Sequence, residues 1–162
     1  MPAVSSDSFK EAMRRFPTGV TVVTSVKNGE PRGVTVSAFA SVSLAPPTIL
    51  ICVNREARSY LFISTSKIFC VNILSADQRL LAERFAARIR ERQFEGVGYS
   101  IDRTGAAVLD GALAHLDCEV AEEHHAGSHS VFIGRVVSLG VRDGEPLGYF
   151  DGHYYDFALE AK

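Results

Sequence analysis

The stretch GVTVVTSVKNGEPRGVTVSAF, residues 19–39, decides the fold. Its first half is rich in valine and threonine, which favour extended backbone, and the same composition returns from Gly33 to Phe39. Between the two halves lies Asn28-Gly29, the residue pair that two-residue hairpin turns prefer. The stretch therefore predicts an antiparallel β-hairpin.

Short extended segments separated by turn residues continue along the chain. The break at Ala45-Pro46-Pro47 precedes a strand over 48–54 that is apolar enough to be buried on both faces. Most connections between strands are too short for the helix that a parallel crossover needs, so the sequence predicts a mainly β chain folded as an antiparallel barrel. The remaining strands are predicted over 68–74, 116–122, 130–141 and 146–150.

Helices are predicted only as inserts between the strands. The first covers 7–15, with Asp7 as its N-cap, and the second covers 57–63. A third follows Ser75 and Gln78, which have the spacing of a capping box.

Length and composition restrict the class of protein. The 162 residues fit a single domain over 1–162, and 46% hydrophobic against 22% charged residues predicts a globular core. A net charge of −2 gives no reason to expect nucleic acid as a partner, and the apolar runs are too short to span a membrane. Three widely spaced cysteines and the lack of a signal peptide pattern at the amino terminus predict a cytoplasmic protein with reduced thiols.

Several familiar catalytic and nucleotide-binding motifs are missing. Gly96-Val-Gly98 lacks the third glycine of a dinucleotide fingerprint and follows a predicted helix instead of a strand. Neither a phosphate-binding loop with its lysine nor a serine nucleophile elbow occurs. The histidines at 124, 125 and 129 have no recurrent metal-ligand spacing, so no metal site is expected.

Three polar segments each have two interpretations. Small hydroxyl residues from Gly33 to Ser43 either expose backbone to a flat ligand or belong to an ordinary threonine-rich strand. Arg55, Arg58 and Ser59 either hold a phosphate at a helix N-terminus or form a solvated loop. The last segment is an arginine series with interspersed glutamates, which indicates a solvated helix face or a site for nucleotide phosphates: Arg84, Arg88, Arg90 and Arg92.

Together, in order and over almost the whole chain, these segments resemble the short-chain flavin reductases, which are the reductase components of two-component flavin monooxygenases. The resemblance rests on the following segments: 16–24, 33–39, 41–43, Pro46-Pro47, Asn54, Arg58-Ser59, 69–74, 80–85, Gly127-Ser128-His129, 134–136 and Pro146-Leu147.

The resemblance implies a fold and an activity. The fold is a six-stranded antiparallel split β-barrel, the FMN-binding split barrel, Greek-key-like and with capping helices. The chain would form a homodimer with flavin near the interface. It would transfer a hydride from NADH or NADPH to FMN or FAD and pass the reduced flavin to a separate monooxygenase. The alternative is a split-barrel protein that binds flavin without turnover, as a sensor or carrier.

The resemblance also implies site residues. His129 would meet the nicotinamide as the catalytic residue, with Gly127 and Ser128 shaping its loop; similar proteins usually carry aspartate where this chain has Ser128. Cys52 would face the flavin. The other flavin-binding residues would be Thr18, the ring-lining Thr35, Val36, Ser37 and Ala38, and, around the ribityl chain and phosphate, Ser41, Val42, Ser43, Asn54, Arg58 and Ser59.

Overall fold

The computed structural model describes residues 3–87 and 92–157, and within these ranges the chain is mainly β, as predicted. The helices are α1 Ser6–Met13, α2 Arg58–Ser66 and α3 Arg79–Ala86, with a 3₁₀ turn at Ala76–Gln78. The strands are β1 Thr18–Gly19, β2 Thr21–Lys27, β3 Glu30–Val36, β4 Phe39–Leu44, β5 Pro47–Asn54, β6 Ile68–Ile73, β7 Tyr99–Ile101, β8 Ala107–Leu109, β9 Ala114–Ala126, β10 His129–Val141, β11 Leu147–Phe150 and β12 His153–Asp156.

The predicted hairpin is confirmed. β2 and β3 pair antiparallel from Thr21 opposite Val36 to Lys27 opposite Glu30. The turn between them places Asn28 at φ 53° and Gly29 at φ 79°, the left-handed region that both residues of this tight turn occupy.

The main sheet contains seven strands in the order β3-β2-β6-β9-β10-β5-β4, all antiparallel. Laid flat, its edge strands would lie roughly 29 Å apart, since neighbouring strands are spaced by about 4.8 Å. The chain nevertheless passes from one edge to the other between Val36 and Phe39, which span at most about 11 Å. The sheet must therefore curl until its edges meet at this corner, and this closure produces the predicted barrel.

The strand predicted over 33–39 is divided at this corner. Before it, β3 pairs with β2; after it, the Cys52 N–H donates to the Ala38 carbonyl and the chain continues in β4 beside β5. The change of partner at Ser37 and Ala38 ends one strand and begins another. The main sheet therefore has seven strands where the resemblance implies six.

The barrel interior is filled by the inward-facing residues of the sheet. Phe69, Phe132 and Ile51 are completely buried there. A second cluster lies between β2, α3 and β8, where Val22 and Phe85 are completely buried. The two clusters pack on opposite sides of the β2–β6 region, so the hairpin has a core on each face.

The capping of α1 differs from the prediction. Its N-cap is Ser5, whose Oγ accepts a hydrogen bond from the Ser8 N–H at 3.1 Å, while Asp7 lies inside the first turn. Ser5 has the extended backbone that an N-cap requires, with φ −73° and ψ 152°. The helix is amphipathic, yet none of its residues is buried.

The other two helices agree with the predictions. The predicted segment 57–63 overlaps α2, and the capping box before α3 is present, with the Ser75 N–H donating to Gln78 Oε1 at 3.1 Å. Glu123 of β9 holds α2 against the sheet by accepting from Ser64 Oγ at 3.0 Å and from Lys67 Nζ at 3.3 Å. Burial raises the pKa of Glu123, but hydrogen bonds from Tyr60, Ser64 and Lys67 outweigh it and hold that pKa below its usual value.

No helix among the described residues combines the length and the hydropathy needed to cross a membrane.

Gly33 is required where β3 passes under α3. A Cβ at this position would lie 2.6 Å from a ring carbon of Phe85, which is completely buried and cannot move aside. Gly33→Ala should therefore lower the free energy of unfolding by about 1–3 kcal/mol, the usual cost of overpacking a core. Urea denaturation measures this change.

The matched control is Gly19→Ala, because a Cβ there meets nothing within 4 Å. Equal stabilities of the two variants would show that the contact with Phe85 does not constrain the fold.

Candidate functional site

A cavity of about 860 Å³ lies at the corner between β3 and β4. This volume lies within the range of cofactor pockets. Ser37 and Ala38 form one wall, Leu50 and Cys52 of β5 form another, and Thr18 lies between α1 and the barrel. Its composition is mainly apolar with a few polar groups, as expected for a flat aromatic ligand.

The corner exposes backbone to this cavity. Ser37 and Ala38 are both exposed, and their small side chains leave the peptide groups accessible. Thr18 adds a hydroxyl that is buried and has no hydrogen-bond partner within the described residues. A ligand with ring carbonyls and nitrogens would find hydrogen-bonding groups at both places.

The β5 wall continues onto β10. Cys52 is paired with Val131, and Asn54 with His129. Residues directly opposite each other in an antiparallel pair share a sheet face, so His129 lies on the cavity side, one row beyond Cys52. Two residues along a strand correspond to about 7 Å, which places His129 beside the cavity and not within it.

The prediction that the strand over 48–54 is buried on both faces is only half correct. Its inner residues Ile49, Ile51 and Val53 are buried in the core. Its outer residues Leu50 and Cys52 are half-buried, because they face the cavity. The outer face of β5 is thus apolar because it forms a wall of the cavity, and not because it is buried in the core.

Cys52 is a neutral thiol in this wall. Burial raises its pKa above the ordinary value, so the thiolate is disfavoured at neutral pH. Cys70 and Cys118 are buried in the core, where loss of solvent and the nearby Asp117 raise the pKa of both. All three cysteines are free.

The turn that carries His129 is attached to the end of β5. The Arg55 N–H donates to the Ser128 carbonyl at 2.9 Å, and Gly127 has φ 58°, which favours glycine. Ser128 Oγ lies 2.9 Å from His129 Nδ1. The serine hydroxyl therefore contacts the imidazole at Nδ1, and His129 is exposed.

Arg58 and Ser59 begin α2 just beyond Asn54. Asn54 Oδ1 accepts from the Glu56 N–H at 2.8 Å and shapes the turn, while the helix has no side-chain cap. Ser59 is only 3% exposed, and its Oγ has no partner among the described residues. A helix N-terminus with an arginine and a free hydroxyl suits a phosphate.

Other predicted site residues do not line the cavity. Thr35 Oγ1 donates to the Ala82 carbonyl at 2.6 Å and Val36 is buried in the core, so both side chains point away from the proposed ring. Ser41, Val42 and Ser43 lie at an irregularity of β4 outside the cavity lining, with Ser43 Oγ accepting from the Ala45 N–H. Thr35 and Val36 are consecutive in β3 and therefore face opposite sides of the sheet, Thr35 towards α3 and Val36 into the barrel core, and the cavity lies on neither side.

Most of the lining was missed, and the polar and aromatic residues among the missed ones come from two regions of the chain. Lys10, Arg14 and Phe16 come from α1 and the segment after it, and Tyr149 and Asp151 come from the end of β11 and the turn that follows it. The basic residues on α1 were a signal in the sequence, but nothing there placed α1 beside the corner. The contribution of β11 depends on its pairing with β1, which only the fold reveals.

The histidines form no metal centre in the described part of the chain. His124 lies 2.7 Å from a carboxylate oxygen of Glu122 and His125 lies 3.4 Å from one of Glu123. Within 3–87 and 92–157, no group of three or more potential ligands is arranged to hold a metal ion.

The predicted arginine series is not one helix face. α3 ends at Ala86, Arg84 donates to the Glu95 carbonyl at 2.8 Å, and Arg92 lines a second cavity of about 450 Å³ that Arg58 also lines. Arg88 and Arg90 lie outside the described residues.

Comparison with known proteins identifies the class. The family model described as "Flavin reductase like domain" matches residues 13–158. The chain is 37% identical to the flavin-dependent monooxygenase reductase subunit HsaB of Rhodococcus jostii, over 94% of this chain and 78% of that one. It is 38% identical to the FMN reductase (NADH) SmoA of Agrobacterium fabrum, over 96% and 88%.

A solved structure gives the same result. The NADH:FAD oxidoreductase SgcE6 of Streptomyces globisporus, in complex with NAD and FAD fragments, superposes with a TM-score of 0.92 at 34% identity and covers all of both chains. This chain therefore belongs to the flavin reductase family, and the predicted family and split-barrel class are confirmed.

Filling the cavity should prevent flavin binding without unfolding the protein. Cys52→Phe adds a ring to a wall whose side chain points away from the core, so affinity for FMN and FAD should fall at least about tenfold, roughly 1.4 kcal/mol. Quenching of flavin fluorescence measures the affinity.

The control for this variant is Cys52→Ala, which removes the thiol without filling the space and should bind flavin as the wild type does. Unchanged affinity in Cys52→Phe would place the flavin elsewhere.

Proposed function

We propose that this chain is an NAD(P)H:flavin oxidoreductase that transfers a hydride from a reduced nicotinamide to FMN or FAD. The observation that carries the proposal is the cavity of about 860 Å³ at the corner between β3 and β4, in a chain of the flavin reductase family. NADH is favoured as the donor, because SmoA and SgcE6 are both named for NADH.

The residues at the corner fit a flavin. The bound flavin supplies a ring that accepts the hydride directly, so the protein needs no nucleophile of its own. Ser37 and Ala38 offer backbone groups to the polar ring edge, and Thr18 offers its unpaired hydroxyl. Leu50 and Cys52 form the apolar wall that holds the ring and excludes water.

The phosphate end is assigned to the beginning of α2. Asn54, Arg58 and Ser59 follow the β5 wall in chain order and lead away from the ring site. The arginine supplies charge and the buried serine supplies a hydroxyl that has no partner within the described residues. Ser41, Val42 and Ser43 remain candidates for contacts with the ribityl chain through backbone only.

His129 is assigned to the nicotinamide. It lies on the cavity side of the sheet, and the hydroxyl of Ser128 lies within hydrogen-bonding distance of its Nδ1. A positioned imidazole at the cavity rim can hold the nicotinamide ring against the flavin, and hydride transfer depends on this alignment. A flavin carrier without turnover would need no such residue.

The reduced flavin is passed to a separate oxygenase, because HsaB is named as the reductase subunit of a flavin-dependent monooxygenase. The three free cysteines are consistent with action in the reducing cytoplasm.

Homodimer formation is proposed from α1. This helix of 8 residues has no buried residue, and helices of that length are not stable in water without packing. Its apolar face, together with the next aromatic residue, remains exposed at Phe9, Met13 and Phe16, with exposed fractions of 60%, 50% and 65%. A second copy of the chain that covers this face would also close the mouth of the cavity, which Met13 and Phe16 line.

Sedimentation velocity tests the dimer. The wild type should sediment as a dimer and Phe9→Asp as a monomer, because a charge on the covered face disfavours association. Leu80→Asp is the control, since Leu80 is 79% exposed on α3 and should leave the dimer intact. A monomeric wild type would contradict the assignment.

The activity is tested by NADH oxidation at 340 nm with FMN, FAD or no flavin. Turnover should require flavin, and His129→Ala should slow flavin reduction about 10²-fold or raise the KM for NADH, while flavin affinity stays within about twofold. A change in the reduction rate or in the KM for NADH, without a change in flavin affinity, shows that His129 positions the nicotinamide and does not bind the flavin.

The matched control is His153→Ala, an exposed histidine on β12 whose ring contacts the Asp151 carbonyl. Unchanged flavin reduction in His129→Ala would remove this histidine from the site. Flavin binding without any consumption of NADH or NADPH would favour the carrier.

A further inference from the structure

Glu123 of β9 is a largely buried carboxylate to which none of the functions above assigns a role. Its side chain is only 14% exposed, and it lies opposite Phe132 of β10, which is completely buried in the barrel core. Burying a charge is unfavourable unless hydrogen-bond donors or opposite charges surround it. The donors around Glu123 therefore indicate what this carboxylate does.

The two oxygens of Glu123 face different elements. Oε2 accepts from α2, with Ser64 Oγ at 3.0 Å and Lys67 Nζ at 3.3 Å. Oε1 faces the β9–β10 hairpin, where Ser130 Oγ and His125 Nε2 each lie 3.4 Å away. The carboxylate thus joins α2 to the hairpin.

The contacts of Glu123 extend along α2 to its first turn. The Tyr60 hydroxyl adds a further hydrogen bond to the carboxylate. Positions 60, 64 and 67 are spaced by four and three residues, so they form one row along the helix. Burial raises the pKa of Glu123, but these hydrogen bonds outweigh it and keep the carboxylate ionised at neutral pH.

The two ends of α2 are held unequally. At the C-terminal end, Ser66 Oγ lies 2.9 Å from Ser25 Oγ of β2, a contact that does not involve Glu123. At the N-terminal end, the N-cap residue Ala57 makes no side-chain hydrogen bond. The first turn instead contacts the sheet through Tyr60, whose ring centroid lies 6.0 Å from that of Phe132 and whose hydroxyl bonds to Glu123.

This first turn carries the residues assigned to the flavin phosphate. Arg58 begins α2, and the buried Ser59 hydroxyl has no partner within the described residues. Hydrogen bonds weaken steeply with distance, so a displacement of about 1 Å is enough to impair recognition of a phosphate. The affinity for the phosphate therefore depends on where the first turn is held.

We infer that Glu123 is a positioning residue, which holds the first turn of α2 where Arg58 and Ser59 bind the flavin phosphate. It acts through the helix and does not touch the flavin, and the inference rests on the proposed function. The sign of its effect is informative. Removing a carboxylate would strengthen binding of an anion if charge alone mattered, whereas displacement of the first turn weakens it.

Glu123→Gln is the test, with riboflavin, which lacks the phosphate, as the reference ligand. The affinity for FMN should fall at least about fivefold, while the affinity for riboflavin stays within about twofold. Quenching of flavin fluorescence measures both affinities. In turnover with NADH, the KM for FMN should rise and kcat at saturating FMN should stay unchanged.

The matched control is Glu122→Gln. This neighbouring carboxylate pairs with His124 at 2.7 Å, and both side chains are 62% exposed. Its removal changes the net charge equally without breaking a contact with α2, so both affinities should stay unchanged. Tyr60→Phe is a second variant that keeps the ring and removes only the hydroxyl, and it should weaken binding of FMN but not of riboflavin.

A double substitution tests whether Glu123 acts through α2. Arg58→Met alone should weaken FMN binding, and adding Glu123→Gln should cause little further loss, because residues that act as a unit are not additive. Full additivity of the two losses would show that Glu123 affects the flavin independently of Arg58 and would overturn the inference.

Two further results would contradict it. Unchanged or stronger FMN binding in Glu123→Gln would show that the carboxylate does not position the phosphate site. An equal loss of affinity for FMN and riboflavin, with a lower melting temperature, would show a merely structural role.

The proposed function fails separately. A wild type that oxidises no NADH would overturn the reductase, yet a selective loss of FMN binding in Glu123→Gln would still support the positioning role. A wild type that oxidises NADH but binds riboflavin as tightly as FMN would leave the reductase intact and remove the phosphate site at α2, and the inference with it.

Discussion

The passage of the chain from one edge of the main sheet to the other within two residues is the constraint on which the rest of the structure depends. Ser37 and Ala38 join strands at opposite edges of a seven-stranded sheet, so the sheet has to close on itself. The same two residues cannot belong fully to either ladder. Their backbone is thereby left exposed where the cavity of about 860 Å³ forms, and one covalent constraint both closes the barrel and creates the site.

β5 serves the core and the cavity at once. Its inner side chains pack against Phe69 and Phe132, while its outer side chains, Leu50 and Cys52, form the wall against which a flat ring can lie. β10 extends this outer face and brings His129 beside it. The core packing of the inner face of β5 holds the cavity wall in place. The wall is therefore rigid, and alignment of two rings requires such a rigid surface.

The helices attach charge and hydrogen-bonding groups to this platform. Glu123 fastens α2 to the sheet, so Arg58 and Ser59 are held at the end of the β5 wall. α1 has no buried residue, and it contributes Lys10 to the cavity lining while Arg14 follows directly after it. The first cavity begins just beyond the end of β3, at Ser37, whereas Arg32 near the start of β3 and Arg58 of α2 line a second cavity.

Local sequence determined the elements of this protein, because turn chemistry and side-chain alternation act over a few residues. Asn28-Gly29 fixed the hairpin, Ser75 and Gln78 fixed a helix start, and the ordered set of motifs identified the family. The sequence also brought attention to Ser37, Ala38 and Cys52, which do line the cavity. It did not show that the side chains of Thr35 and Val36 point away from the cavity. Which face of a strand borders a cavity depends on the elements packed against each face, and these are distant in sequence.

Only the tertiary structure decided the remainder. The division of the run over 33–39 into two strands follows from a change of pairing partner, and the N-cap of α1 follows from where the chain enters the helix. Tyr149 reaches the cavity through pairing of β11 with β1, across more than a hundred residues of chain. The burial of Gln93 in a cavity that Arg58 also lines is likewise a result of the fold. Contacts between residues distant in sequence leave no local pattern, so the sequence determined which elements form and the packing of those elements determined the site.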